Sequence, residues 1–244
     1  MEWQSVRGRV ALVTGASSGI GEATARLLAA EGMQVVLAAR NEPKIAALAQ
    51  ELEGQAVAVP TDVGDRAQVD SLMALIRDRF GALDLLFNNA GVGYHARFAE
   101  SRPEEWRLMI DANLYGVLHC THAALPLLRG RPGAMVSTVA SVGGRHGIEG
   151  WSVYNATKFA VVGFHDALRK EVGPEGIRVS LIEPGAVYTE WGHNVSKEAM
   201  RQRRDSLEAL HAEDIARAVL FAYAQPPHVN IQELLIMPTR QTYP

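Results

Sequence analysis

The sequence predicts an α/β protein of the Rossmann type: a doubly wound, seven-stranded parallel sheet with helices on both faces. Three observations carry this. Apolar runs of strand length alternate along the whole chain with longer segments of helical period. The runs are unbroken rather than alternating, as strands buried on both faces require. A glycine-rich turn also lies directly between the first strand and the first helix.

Taken in order, strands are expected at VALVT (10–14), QVVLAA (34–39), AVAVP (56–60), LDLLFN (83–88), AMVSTVA (134–140), IRVSLIE (177–183) and ELLIM (233–237). Helices are expected at about 19–32, 43–53, 66–80, 103–129, 151–173 and 213–224. No linker, repeat or low-complexity tract intervenes, so a single domain over 1–244 is expected. The segment 186–212 mixes aromatic, basic and helical signals and is long for a connection, which suggests a lid over a site.

With 244 residues, 48% of them hydrophobic and 21% charged, the chain can build a full core. A net charge of −3 without blocks of like charge argues against nucleic acid or a membrane surface as partner and leaves small molecules. MEWQSVRGRV lacks a basic-then-apolar pattern and no apolar run is long enough to span a bilayer, so a cytoplasmic location is expected. Cys120, the only cysteine, sits in LHCTHAA and reads as an inert buried thiol. The eight histidines form no HxxxH pair, and with no CxxC either, no metal site is expected.

Strand one runs into TGASSGIG (14–21), where Gly15, Gly19 and Gly21 would let backbone approach a phosphate beside a helix N-terminus. The spacing is GxxxGxG rather than GxGxxG, and three glycines can also make nothing more than a tight turn. Further motifs decide between these. Strand four ends in NNAG (Asn88 to Gly91), polar groups at the carboxyl end of a parallel strand, where ligands bind. Asn113 interrupts an apolar helical stripe of Trp106, Met109, Ile110, Leu114, Val117 and Leu118, so it needs a specific hydrogen-bond partner. Tyr154 and Lys158 in VYNATKFAV are neighbours at helical spacing. They lie at the margin of an apolar arc of Val153, Ala156, Ala160, Phe164, Ala167 and Leu168.

In order and spacing, TGASSGIG, NNAG, Asn113, Ser141, YxxxK and EPGAVYTE resemble the short-chain dehydrogenase/reductase family over essentially the whole chain. The ending HAEDIARAVLFAYAQPPHVNIQELLIMPTRQ is similar to the branch with 3-hydroxy acid and serine dehydrogenases and clavulanic-acid dehydrogenase. The resemblance implies an NAD(P)-dependent oxidoreductase acting on an alcohol or carbonyl. Tyr154 would be the general acid/base, Lys158 would lower its pKa and bind the nicotinamide ribose, and Ser141 would orient the substrate carbonyl. Asn113 would hold a water linking Lys158 to solvent. Cofactor contacts are implied at Gly15, Ser17, Ser18, Gly19, Ile20 and Gly21, at Asp62 and Val63 near adenine, and at Asn89, Ala90 and Gly91. Pro184 and Gly185 would turn beneath the nicotinamide, with Val187 and Thr189 near its carboxamide. Thr138 and Ala140 depart from the Asn and Ser common in relatives, and Ser137 is a weak competitor for the serine role.

Magnitudes favour the Tyr–Lys pair. Moving a phenol from a pKa of about 10 to about 8 needs roughly 2.7 kcal/mol. A lysine charge about 5 Å away, at an effective dielectric near 20, supplies roughly 3 kcal/mol.

Strand two ends in Ala39 and Arg40 rather than an acidic residue, which favours NADP(H) over NAD(H), although Arg40 could also be a solvated strand end. Tyr94, His95, Arg145, His146, Ile148, Trp151, Trp191, His193 and Met200 surround the cleft mouth. Of these, Tyr94, Arg145, Trp151 and Trp191 join Ser141 and Tyr154 as candidate substrate contacts; Arg145 could hold a carboxylate or simply pin its loop. Apolar Phe159 and Val162 off the main arc suggest a homo-oligomer, a dimer or tetramer. The leading expectation is an NADP(H)-dependent carbonyl reductase or alcohol dehydrogenase. The alternatives are an NAD-dependent hydroxy-acid dehydrogenase and a catalytically silent NADP(H)-binding regulator, which would not need the full Asn113, Ser141, Tyr154 and Lys158 set.

Overall fold

The seven apolar runs pair into one parallel sheet in the order β3-β2-β1-β4-β5-β6-β7. The computed structural model describes residues 4–189 and 192–242. The strands are β1 (Val10–Thr14), β2 (Gln34–Ala39), β3 (Ala56–Pro60), β4 (Leu85–Asn88), β5 (Met135–Val139), β6 (Arg178–Pro184) and β7 (Glu233–Ile236). Between them lie α1 (Gly19–Ala30), α2 (Glu42–Glu51), α3 (Arg66–Phe80), α4 (Pro103–Ile110), α5 (Gly116–Leu128), α6 (Ser152–Val172), α7 (Lys197–Leu207) and α8 (Ala212–Tyr223).

The unbroken strands have a direct cause. In β1, Ala11 and Val13 pack with Ala25 and Leu28 of α1, Ile45 of α2 and Ile215 of α8, whereas Val10 and Leu12 pack with Leu72 of α3, Ala124 of α5 and Leu168 of α6. Both faces are therefore core, and every β1 residue is buried. The winding reverses between β1 and β4, which pair directly through Ala11–Leu85 and Val13–Phe87. Their carboxyl ends open the crevice where ligands bind in such sheets. At the chain's start, Gln4 ties to the end of α8: its backbone N–H donates to the Ala224 carbonyl and its side chain to that of Tyr223, both at 2.8 Å.

Three sequence expectations change. The helix expected over 103–129 is two helices joined by a π turn at Asp111–Tyr115. The wide turn carries Asn113 inward, where its amide grips another segment, a demand that periodicity does not report. In α6 the buried face runs through Tyr154, Thr157, Lys158, Val161, His165, Leu168 and Val172, and Ala156, Ala160 and Ala167 are exposed. Apolar but small, these alanines mimic core in the sequence pattern, whereas Thr157, Lys158 and His165 are buried because each has a hydrogen-bond partner. The segment 186–212 contains a full helix, α7, with no fully buried residue. Among the described residues no helix is long and apolar enough to cross a membrane.

Candidate active site

A cavity of ≈ 550 Å³ lies along the carboxyl ends of the strands. Its floor begins at the glycine turn. Gly15 has φ +65, and a Cβ there would stand 2.8 Å from the Ala90 Cα, so only glycine lets the β1 and β4 loops touch. At Gly21 a Cβ would collide with the Gly15 carbonyl. Gly21 thus packs the turn from behind and does not line the cavity, whereas Gly15, Ser17, Ser18, Gly19 and Ile20 do.

Asn89 fastens the two loops. Its side-chain amide donates to the Thr14 carbonyl at 3.0 Å and the Gly15 carbonyl at 3.3 Å, and the Thr14 hydroxyl accepts from the N–H groups of Asn89 and Ala90. Asn89, Ala90 and Gly91 also line the cavity. Arg40 and Asn41 border it after β2, with Asp62 and Val63 after β3. Arg40 is exposed, and no described carboxylate pairs with it. The Asp62 carboxylate accepts from the Gly64 N–H at 3.0 Å, so it also builds the entry to α3. On the far wall stand Pro184, Gly185, Val187 and Thr189, with the Thr189 methyl against Gly19.

Ser141, Tyr154 and Lys158 converge on the cavity. The Ser141 hydroxyl accepts from the Gly143 N–H at 3.0 Å and hydrogen-bonds Tyr154. Lys158 Nζ donates to the Val139 carbonyl at 2.7 Å and lies 5.7 Å from the centre of the Tyr154 ring. Tyr154 is 9% exposed and Lys158 6%, so both are largely desolvated. Burial pushes the phenol up to about 12, against a smaller downward pull from Ser141. Burial likewise pushes the lysine down to about 8. This corrects the sequence estimate of a phenol near 8. That estimate counted the lysine's charge and omitted the loss of water around both groups, which here is the larger effect.

Asn113 is fully buried, and its amide is occupied by protein. Its oxygen accepts from the Val92 N–H at 2.8 Å, and its nitrogen donates to the Val92 carbonyl at 2.9 Å and the Thr157 hydroxyl at 3.1 Å. Thr157 in turn donates to the Tyr154 carbonyl at 2.7 Å. With both amide hydrogens used, the Asn113 side chain braces α6 between Tyr154 and Lys158 instead of holding a water through those hydrogens.

Several sequence candidates stand behind the wall. Arg145 does not line the cavity: its Nε donates to Glu183 at 2.9 Å and its guanidinium also pairs with Glu233. It pins its loop to β6 and β7, which removes it as a carboxylate holder. Tyr94 stacks on His193 at 4.6 Å and His95 packs edge-on to Trp151 at 5.2 Å, so both support lining residues without reaching the cavity. His146 also lies off the cavity, while Ile148, Trp151, His193 and Met200 line it. Trp191 lies outside the described residues.

The sequence reading missed three features. Asn155, buried beside Tyr154, donates to the Gly143 carbonyl at 2.7 Å and accepts from the Ile148 N–H at 3.0 Å, so it holds the loop that carries Ser141. A polar residue adjacent to Tyr154 on a buried face was the available signal. His165 Nδ1 lies 2.9 Å from the Val161 carbonyl and Nε2 2.7 Å from the Thr138 hydroxyl. Because a carbonyl only accepts, Nδ1 carries the proton, Nε2 accepts from Thr138, and Thr138 accepts from Asn88 at 3.3 Å. Finally, Arg203 and Arg204 of α7 and Gln241, after β7, line the cavity, and nothing in their spacing announced it. Cys120 is fully buried and its thiol is pushed up to about 12 by burial.

A glycine turn and helix N-terminus at the sheet's switch point, with a desolvated Tyr–Lys–Ser group lining the same cleft, are the features of a nucleotide-dependent oxidoreductase site. Comparisons with known proteins agree. The short chain dehydrogenase family model matches residues 9–200, and the chain belongs to that family. It is an NAD(P)-dependent oxidoreductase. An uncharacterized oxidoreductase of Staphylococcus aureus is 39% identical over 231 residues, covering 94% of this chain and 97% of the relative. The closed form of serine dehydrogenase complexed with NADP+ superposes with a TM-score of 0.92 at 32% identity, covering 96% of each chain. An alcohol dehydrogenase from the archaeon Thermococcus sibiricus, complexed with 5-hydroxy-NADP, gives a TM-score of 0.87 at 30% identity, covering 98% of this chain and 100% of that one.

Proposed function

We propose that the chain is an NADP(H)-dependent carbonyl reductase or alcohol dehydrogenase in which Tyr154 is the general acid/base. The observation that carries this is the buried Tyr154 hydroxyl, hydrogen-bonded to Ser141 at the cavity with Lys158 beside its ring. The Tyr154 hydroxyl, protonated at neutral pH and held by Ser141, is placed to donate to a carbonyl oxygen. The same hydrogen-bond position beside Ser141 holds an alcohol oxygen in the reverse direction. Ser141, fixed by Gly143 and by the Asn155-braced loop, orients the reacting oxygen. Lys158 presents a cation between that phenol and the nucleotide end of the cleft, and Asn113 is a positioning residue acting through Thr157.

The cleft fits a dinucleotide phosphate: Gly15 and residues 17–20 line it around the N-terminus of α1, where backbone N–H groups are free to meet an anion. NADP(H) supplies or accepts the hydride. The preference for NADP(H) is supported by exposed Arg40 at the tip of β2, whose fork suits a 2′-phosphate. Neighbours solved with NADP+, 5-hydroxy-NADP and NADH support a nicotinamide cofactor, so the preference itself rests on Arg40. We also infer a homo-oligomer, on the apolar side chains that α6 and its surroundings leave exposed.

The test is absorbance at the reduced-nicotinamide band with aldehydes, ketones, keto acids and hydroxy acids, each with NADP(H) and NAD(H). Turnover by the parent, faster with the phosphorylated cofactor, is expected. Absence of turnover with every substrate would reject the catalytic reading.

A further inference from the structure

We propose that α7 supplies an anion site to the substrate pocket: Arg203 and Arg204 take the carboxylate of a short hydroxy or oxo acid whose reacting carbon sits at Tyr154. The proposal deepens the oxidoreductase reading above and rests on it for the position of the reacting carbon.

Placement comes first. Met200, Arg203 and Arg204 are one helical turn apart and all line the cavity. The Met200 methyl and the Trp151 ring meet at the same face of Gly192, and Trp151 lies 5.7 Å from the Tyr154 ring. The inner face of α7 is thereby anchored at the tyrosine end. The glycine turn at the other end is covered by Thr189, which touches Gly19.

Charge comes second. The cations lining the cavity are Arg40, Lys158, Arg203 and Arg204, and Asp62, after β3, is the only described carboxylate among its lining residues. Lys158 is engaged with Val139, and Arg40 lies at the tip of β2. The lid arginines remain without a described carboxylate, because their acidic neighbours are engaged elsewhere: Asp205 accepts from Tyr188, Glu208 pairs with Arg240 and Glu198 pairs with Arg201. Arg204 Nε is buried with no hydrogen-bond partner. A buried guanidinium donor without an acceptor is costly, and a planar carboxylate satisfies such a fork with paired bonds. Arg145, the other arginine near the cleft, is held by Glu183 and Glu233.

The test is calorimetric titration of the NADP+-saturated protein with 2- and 3-hydroxy acids of three to five carbons, each beside its methyl ester. At least one acid should bind about tenfold or more tightly than its ester. Arg203→Gln and Arg204→Gln should each bring that acid down toward the ester, with NADP+ affinity unchanged. Equal binding of acid and ester, binding of neither, or loss of NADP+ affinity in the variants overturns the proposal; the last result would assign the arginines to the dinucleotide. Arginine-dependent acid binding without turnover would support the anion site while rejecting the dehydrogenase reading. Oxidation of esters as fast as acids would do the reverse.

Discussion

Replacing the Tyr154 hydroxyl with hydrogen removes the proton donor while leaving the ring against Trp151 and Lys158. Tyr154→Phe is therefore expected to lower kcat by about 100-fold or more, with NADPH binding, read by fluorescence titration, close to that of the parent. Retained turnover would reject the assignment. Because burial raises the phenol, it is protonated at neutral pH and loses its proton only in alkali. Oxidation, which needs a base, should thus gain more than reduction as pH rises from 7 to 9, measured as kcat in both directions. At the other end of the cleft, Arg40→Ala should weaken NADPH by about 10- to 100-fold and NADH little, the scale of a charge-assisted bond of about 1.5–3 kcal/mol. Equal effects on both cofactors would refute the 2′-phosphate role. Tyr154, Lys158, Ser141 and Arg40 were all legible in the sequence. What the sequence hid was solvent exposure, and with it the sign of the tyrosine's shift.

Helix α6 brings the site together because its inner face is polar yet satisfied: Thr157 meets Asn113, Lys158 meets Val139, and His165 meets Thr138. His165 is fully buried, and burial pushes its pKa down from 6.5 to about 4. Between those values the unfolded chain binds the proton and the folded one does not. Its stability contribution is therefore full above about 6.5 and falls as pH drops toward about 4, by roughly 3 kcal/mol. Urea denaturation at pH 7 and pH 4.5 should show a larger loss in the parent than in His165→Gln; equal losses would contradict this. Periodicity placed α6 within a residue or so of its ends. It misassigned the face, because Ala156, Ala160 and Ala167 are apolar enough to mimic core while Lys158 and His165 look like surface. The same limit explains the π turn: the sequence demands a partner for Asn113, but its partners, Val92 and Thr157, come from a loop and a helix whose paths no local pattern encodes.

For the whole molecule, strand positions and class follow from apolar runs and the glycine turn, whereas the order of the strands and the approach of α7 and Gln241 to the cleft rest on contacts distant in sequence. Phe159 is 47% exposed on α6 and Tyr115 49% exposed in the π turn, and Phe98 is 58% exposed. Large exposed rings of this kind fit subunit packing. Light scattering should give the mass of a dimer or tetramer, and Phe159→Glu should lower it; a monomeric parent would overturn the inference. Gln4 binds the end of α8 through Tyr223, a residue translated 219 positions later. Because Ala25 and Leu28 of α1 share a core with Ile215 and Val219 of α8, the outer flank of α1 stays uncovered until α8 has been made. Amides in α1 should therefore gain full protection in pulse-labelled refolding only when α8 docks.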